Sequence, residues 1–456
     1  MASSQVLARH PLAIIGAIVT TVSAVLFIAL VIAILAGLLQ NPYAGLVVFV
    51  ALPLCFLLGL LLIPAGMALQ RRRLKRDPSA AVDWPVLDFR RAGVRRTALV
   101  IAGLTAANIV LVLLAGYGGL HWMESPRFCG QVCHTPMQVQ FAAWQGGPHA
   151  RVACVTCHIG EGPRAFVHAK LSGVRQLVQV ATNSYPRPIP PGAQMPAGAQ
   201  AQTCGSCHRP GRAVGDRMRE IREYADDEAN GETTTVLQMH LSRTTSQPRG
   251  IHWHANPAVR IEYVATDPVG ETIPYVKVTN AAGETKEYVV ADTTDQTIRA
   301  GTRHVMDCID CHNAVGHPIA PTPEQAVDRT IAAGRISRDL PYVRREGLRL
   351  VKVSYPSRDD ALRAIDQGLR GFYASRGGSV DQQAVARSVT AFQEVYSRNV
   401  FPDMKVTFGS YPDQRGHITS TGCFRCHDDS HKTKDGSTIS ADCELCHKQV
   451  ETEPRS

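Results

Sequence analysis

From residue 11 to residue 70 the sequence has no Asp, Glu, Lys or Arg. That absence excludes a water-facing surface and points to a bilayer. The run is too long for a single crossing, which takes about 20 apolar residues, and Asn41-Pro42 breaks it in the middle. The pattern predicts helices over about 11–39 and 43–69. A third uncharged run covers Thr97 to Leu120. A cleaved signal peptide is the competing reading of the first run. Its length, and the second helix directly behind it, argue against that.

Charge is also unevenly spread. Residues 70–96 hold nine Lys/Arg (Arg71, Arg72, Arg73, Lys75, Arg76, Arg90, Arg91, Arg95, Arg96) against three acids. The positive-inside rule makes this loop cytoplasmic. Three spans then put the N-terminus inside and everything after Leu120 outside. A role as topology signal and lipid-headgroup contact suffices for the loop, so no nucleic-acid partner is expected.

Cysteine is too scarce for a disulfide scaffold, thirteen in 456 residues, and too ordered for chance. Five pairs read C-x-x-C-H: Cys154/Cys157/His158, Cys204/Cys207/His208, Cys308/Cys311/His312, Cys423/Cys426/His427 and Cys443/Cys446/His447. A sixth, Cys129/Cys133/His134, is stretched by one residue. Such a pair attaches c-type haem: two thiols add to the two porphyrin vinyls, and the next residue binds the iron. Zinc needs four ligands and gives no reason for a histidine after every second cysteine. At the stretched motif a structural disulfide is the main competitor. Six haems c are therefore expected. Since c-type haem is attached outside the inner membrane of bacteria, this agrees with the sidedness read from the loop.

The expected fold class is mixed: three N-terminal transmembrane helices, then an extracytoplasmic multihaem region with little regular structure and short helices, and a small inserted β-meander. Residues 1–120 form the anchor, 121–210 carry haems 1–3, 211–305 form a β-rich insert, and 306–456 carry haems 4–6. In 159–185, Phe166, Leu171, Val174, Leu177 and Val178 recur at helical spacing. VRIEYVATD, then PYVKVTN and TKEYVVAD joined by AAGE, read as the meander. PEQAVDRTIAAGRI, RDDALRAIDQGLRGFYASR and VDQQAVARSVTAFQEVYSRNV read as helices. The segment around His427 and His447 is too short and polar to build an apolar core without porphyrins.

Low-spin haem takes a second axial ligand. Ten histidines remain after the six motif residues and His10 are set aside. His149, His254, His317, His417 and His431 are the distal candidates, each near a motif or in the haemless insert. For any one of them, a surface or propionate-bonding role is the alternative. Met137, three residues after His134, is a candidate ligand for the first iron or a side chain packed on its porphyrin.

Residues 100–210 resemble the NapC/NirT family with its NrfH-type subunits, membrane-anchored multihaem cytochromes that oxidise menaquinol or ubiquinol. The resemblance rests on the apolar anchor, the cysteine pair followed by Met137, then His149 before Cys154/Cys157/His158, then Lys170 and Gly173. It implies that Met137 serves the haem nearest the membrane and that Lys170 lies near a quinol site. Three features depart from it: the first motif's spacing, the three spans, and the segment 210–456. The enlarged form is similar to inner-membrane cytochromes of metal-respiring bacteria. Where NrfH-like members offer an acid two turns beyond the lysine, Gln176 and Leu177 stand here, so Glu161 is a candidate proton acceptor.

The function expected is quinol oxidation coupled to relay through the haems to a periplasmic or outer-membrane acceptor. The expected partners are membrane lipid, the quinol pool and that redox protein. Two alternatives stand. One is a docking subunit of a larger complex without quinol chemistry of its own. The other is a terminal multihaem reductase, disfavoured because C-x-x-C-K is absent and histidines are in surplus.

Overall fold

The computed structural model describes residues 10–35, 47–76, 89–132, 134–159, 162–190, 199–208, 215–241, 250–377 and 380–455. The chain divides into two units, Met1–Met123 and Glu124–Ser456.

Among its described residues the first unit has three α-helices: α1 (Pro11–Leu35), α2 (Leu52–Arg76) and α3 (Ala92–Met123). Pro11–Leu30 and Leu52–Arg73 are long and apolar enough to cross a membrane. The expected count of three is not matched on that criterion among the described residues, although α3 runs for 32 residues. α1 and α2 pack as a hairpin at backbone distance. A Cβ on Gly16 would lie 2.7 Å from the Gly59 carbonyl oxygen, and one on Gly59 would lie 2.7 Å from the Thr20 nitrogen. Apolar side chains gain nothing over lipid by meeting each other, so small residues that let backbones approach are what hold such helices together.

In the second unit, a π-turn (Phe128–Val132) leads into α4 (His134–Gln145), α5 (Cys154–His158), α6 (Pro163–Ala181) and α7 (Ala199–Cys207). Two small antiparallel sheets follow. The expected meander is present as β3 (Arg260–Ala265), β4 (Tyr275–Thr279) and β5 (Thr285–Val289). Beyond helix α8 (Asp295–Ala300), β6 (Thr302–Val305) adds to the free edge of β3, giving the order β5-β4-β3-β6. The other sheet, absent from the sequence expectation, is a hairpin of β1 (Asp216–Tyr224) and β2 (Glu232–His240). It is completed by the C-terminal strand β7 (His447–Arg455), which pairs with β2. The β1 sequence DRMREIREY carries charge on both faces, so alternation does not reveal it.

α9 (Cys308–Cys311) carries the fourth motif, and then regular structure exceeds the expectation. α10 (Pro323–Ala332), α11 (Val343–Val351), α12 (Arg358–Arg376) and α13 (Gln382–Asn399) form a haemless helical domain. Its starts are written in the chain. The side chains of Thr322, Ser357 and Asp381 each accept a backbone N–H of the first turn, and Pro323 stands where no N–H is needed. Val327, Ile336, Ile365, Leu369, Phe392 and Tyr396 form its fully buried centre. Tyr224 from β1 joins that cluster. Asn230, buried in the β1–β2 turn, donates to the Arg338 and Leu340 carbonyls at 2.9 Å each and accepts the Arg344 N–H at 3.1 Å. The hairpin that receives the C-terminal strand is thereby pinned to the helical domain.

Candidate haem centres

The second to sixth attachment motifs sit on short helical elements, and neighbouring structure fixes them. α5 packs on α7, and α7 packs on α9. β6 delivers Asp307, whose carboxylate caps α9 while Asp310 returns the bond to the Asp307 N–H, a reciprocal capping box. In the motif CFRCH, the Arg425 guanidinium donates to three carbonyls: Gly422 at 2.9 Å, Gly270 at 3.0 Å and Asp310 at 2.7 Å. The Asp310 carboxylate accepts the Tyr263 hydroxyl, and burial together with that carboxylate pushes the phenol well up. One variable residue of the fifth motif therefore grips the backbone of the fourth. Hydrogen bonds to a charged group are worth about 1.5–3 kcal/mol. Arg425→Met is expected to cost at least that much, read as a lower denaturant midpoint of the haem absorbance.

The cysteines follow one another through space in chain order. Cys154 is brought down to about 7, first of all by a hydrogen bond from the Cys129 side. Cys157 is raised by burial and by the neighbouring Cys204. Cys204 meets Cys308, Cys311 has Cys423 and Cys446 as neighbours, and Cys446 again has Cys423. Burial is the main cause that raises Cys308 and Cys426 to about 12 and Cys311 and Cys446 to about 11. Cys207 and Cys443 are exposed, so the third and sixth motifs reach the surface.

The histidines form pairs. His158 faces His317 with ring centres 6.0 Å apart, and His208 faces His149 at 6.0 Å. His312 faces His252 at 6.4 Å, His427 faces His254 at 5.8 Å, and His447 faces His417 at 6.0 Å. Every pair joins one motif histidine to one histidine outside the motifs. Two imidazoles bound to opposite faces of one metal ion by bonds of about 2 Å hold their ring centres about 6 Å apart. Interplanar angles from 22° to 83° fit free rotation about that axis rather than ring stacking.

Protonation follows from the second nitrogen. His149 Nδ1 meets the Val315 carbonyl at 3.1 Å, His317 Nδ1 the Gln140 carbonyl at 2.9 Å, His254 Nδ1 the Ile251 carbonyl at 2.8 Å, and His427 Nδ1 the Ser440 carbonyl at 2.8 Å. A carbonyl only accepts, so the proton sits on Nδ1 and the Nε2 lone pair is left for a metal. Burial lowers His158, His254, His312, His317 and His447 from the usual histidine range, favouring the neutral ring that a metal needs.

Local structure explains who reaches whom. His252 and His254 share a 3-10 turn, Ile251–Ala255, and serve two different partners. The Trp144 indole donates to the Val152 carbonyl at 2.9 Å, closing the loop that carries His149. Val139 and Ala143 of α4 pack with Ile319, Phe401, Met404 and Val406, which holds His317 beside Gln140.

Of the five distal candidates, His149, His254, His317 and His417 stand opposite motif histidines. His431 does not. It is 1% exposed, with Nδ1 2.9 Å from the Asp428 carboxylate and Nε2 2.6 Å from the Ile273 carbonyl, so neither lone pair is turned to a metal. His252 takes the fifth place. Its signal is the doublet IHWHANP, two histidines in the stretch between the third and fourth motifs. Among the described residues no group of three or more His, Cys, Asp and Glu side chains converges on one point, which leaves no zinc cage.

At the first motif Cys129 is half-buried, while Cys133 and the His134 side chain lie outside the described residues. Met137 is half-buried on α4, one turn beyond His134. Glu161 also lies outside the described residues. Lys170, on α6, has its Nζ 3.8 Å from the Glu124 carboxylate, an acid the sequence reading passed over.

The cytochrome c-type protein ImcH of Geobacter sulfurreducens is 35% identical to this chain over 449 residues, covering 97% of this chain and 88% of that protein. No family model matches the chain, and no solved structure matches it.

Proposed function

The chain belongs to the family of c-type cytochromes that includes ImcH, and on that premise we propose a membrane-anchored hexahaem cytochrome that takes electrons from membrane quinol and hands them to a periplasmic or outer-membrane acceptor in respiration. Haem c supplies the one-electron chemistry when bound at the motifs.

The observation that carries this reading is the set of five histidine pairs. His158, His208, His312, His427 and His447 are the proximal ligands, and His317, His149, His252, His254 and His417 are their distal partners in that order. With a histidine on each side, these five sites have no position left for a small oxyanion, which favours relay over terminal reduction. The neighbouring cysteines support a row of sites numbered one to six along the chain.

The first haem is attached by Cys129 and Cys133, and its iron is bound by His134 or, one helical turn on, by Met137 in place of a histidine. In the NapC/NirT-like reading, the ammonium of Lys170 orients a quinol oxygen and Glu124, beside it, accepts a proton. Glu124 thus takes the role first given to Glu161. α3 is the third span, with the basic loop cytoplasmic and residues after Met123 periplasmic at a bacterial inner membrane.

Lys170→Ala, Glu124→Gln and Met137→Ala are each expected to abolish reduction by a quinol analogue while leaving dithionite reduction of all haems intact. Normal quinol reduction in all three would sink the quinol site. The mass of the purified protein, read as the number of haems added, checks the count of six.

A further inference from the structure

The helix α6 turns an apolar stripe to solvent. Val167, Leu171, Val174 and Val178 are 55%, 67%, 53% and 57% exposed. At 3.6 residues per turn they fall within about 60° of one another around the helix axis. On the same wheel Lys170 flanks the stripe on one side, and His168 and Arg175 flank it on the other. Gln176 lies opposite. The 19 residues of α6 contain no Asp or Glu.

An apolar stripe bordered by cations and free of acids is what a helix lying in a membrane interface requires. The aliphatic side chains enter the acyl region, and the lysine and arginine stems reach outward to headgroup phosphates. The chain also ties this helix to its membrane connection. Lys170 pairs with Glu124, the residue directly after the end of α3 at Met123. We propose that α6 lies in the plane of the bilayer surface, with Val167, Leu171, Val174 and Val178 inserted among anionic lipids. It would act as a second, in-plane anchor for the haem-bearing unit. The proposal rests on the membrane anchor and is independent of quinol chemistry.

The test uses the full chain with Cys55→Ser, so that no free thiol competes. Single variants Leu171→Cys, Val174→Cys, Val178→Cys and Gln176→Cys are spin-labelled and placed in nanodiscs of phosphatidylethanolamine and phosphatidylglycerol. Haem content equal to the parent shows that each labelled chain has folded. Labels at 171, 174 and 178 are expected to be several-fold more accessible to oxygen than to a water-soluble nickel chelate, and the label at 176 to show the reverse. Chelate accessibility at 171, 174 and 178 would mean that the stripe faces water and would overturn the proposal. Shielding from both reagents would mean that protein or porphyrin covers it, and would overturn it equally. Replacing phosphatidylglycerol by phosphatidylcholine is expected to reduce the oxygen preference; no change would remove the role given to the cations.

Discussion

Replacing His317 by alanine is expected to convert one haem of the proposed six to a high-spin form and to slow electron transfer from quinol to an external acceptor by more than the roughly 10–100-fold that disturbing a ligand's hydrogen-bond partner costs. The reason is positional. His317 stands 6.0 Å from His158, ring centre to ring centre, and the Gln140 carbonyl fixes its tautomer. In the proposed row, site 2 lies between the first site and all the others, so no route bypasses it. Anchoring and haem attachment use other residues and should not change. Resting-state spectra combined with single-turnover reduction make the measurement. A fully low-spin variant would show that His317 is not the ligand. His431→Ala is the matched control, expected to leave every haem low-spin because both of its nitrogens face oxygen acceptors.

The second large effect concerns stability. Phe392→Ala in α13 is expected to cost about 3–5 kcal/mol, as other buried Phe truncations do. Phe392 has no exposed surface, and its ring fills the space above Gly347, where even a Cβ would collide with it. A loss of this size is a large fraction of a domain's total stability of about 5–15 kcal/mol. It should lower the melting temperature of the helical signal by more than about 10 °C. The helical domain carries no attachment motif, so the haem absorbance should persist where the helices have melted. Simultaneous loss of both signals would show that the haem-bearing segments depend on this domain.

Legibility differed by kind of feature. The attachment cysteines and their histidines, α1, α2, α10, α12, α13 and the β3–β5 meander stand in the sequence, because each is a local pattern of spacing, capping or alternation. The partners of the histidines do not, because they come from distant segments. His317 follows the fourth motif yet faces the histidine of the second, and His417 precedes the fifth motif yet faces the histidine of the sixth. His431, like His417, lies within a few residues of an attachment motif, but the Asp428 carboxylate and the Ile273 carbonyl engage its two nitrogens. α11, VRREGLRLV, is short and Arg-rich, and its burial comes from its neighbours. The apolar periodicity of α6 predicted a helix, but periodicity is silent on whether the stripe meets protein or another apolar medium.

The interleaving of the pairs has a consequence for biogenesis. A chain made from its N-terminus presents His158 long before His317, whereas His149 is already outside when His208 appears. On the proposed pairing, site 3 is the first of the five histidine-paired sites that can close, site 4 closes when His312 arrives, and site 2 waits for His317. Sites 5 and 6 follow with His427 and His447. A ribosome stalled between residues 312 and 317 would leave a secreted fragment whose second site is covalently loaded but half-ligated, open to adventitious ligands. The attachment machinery thus has to work on iron centres that are still awaiting their final coordination, and the last residues to emerge decide when the redox chain becomes continuous.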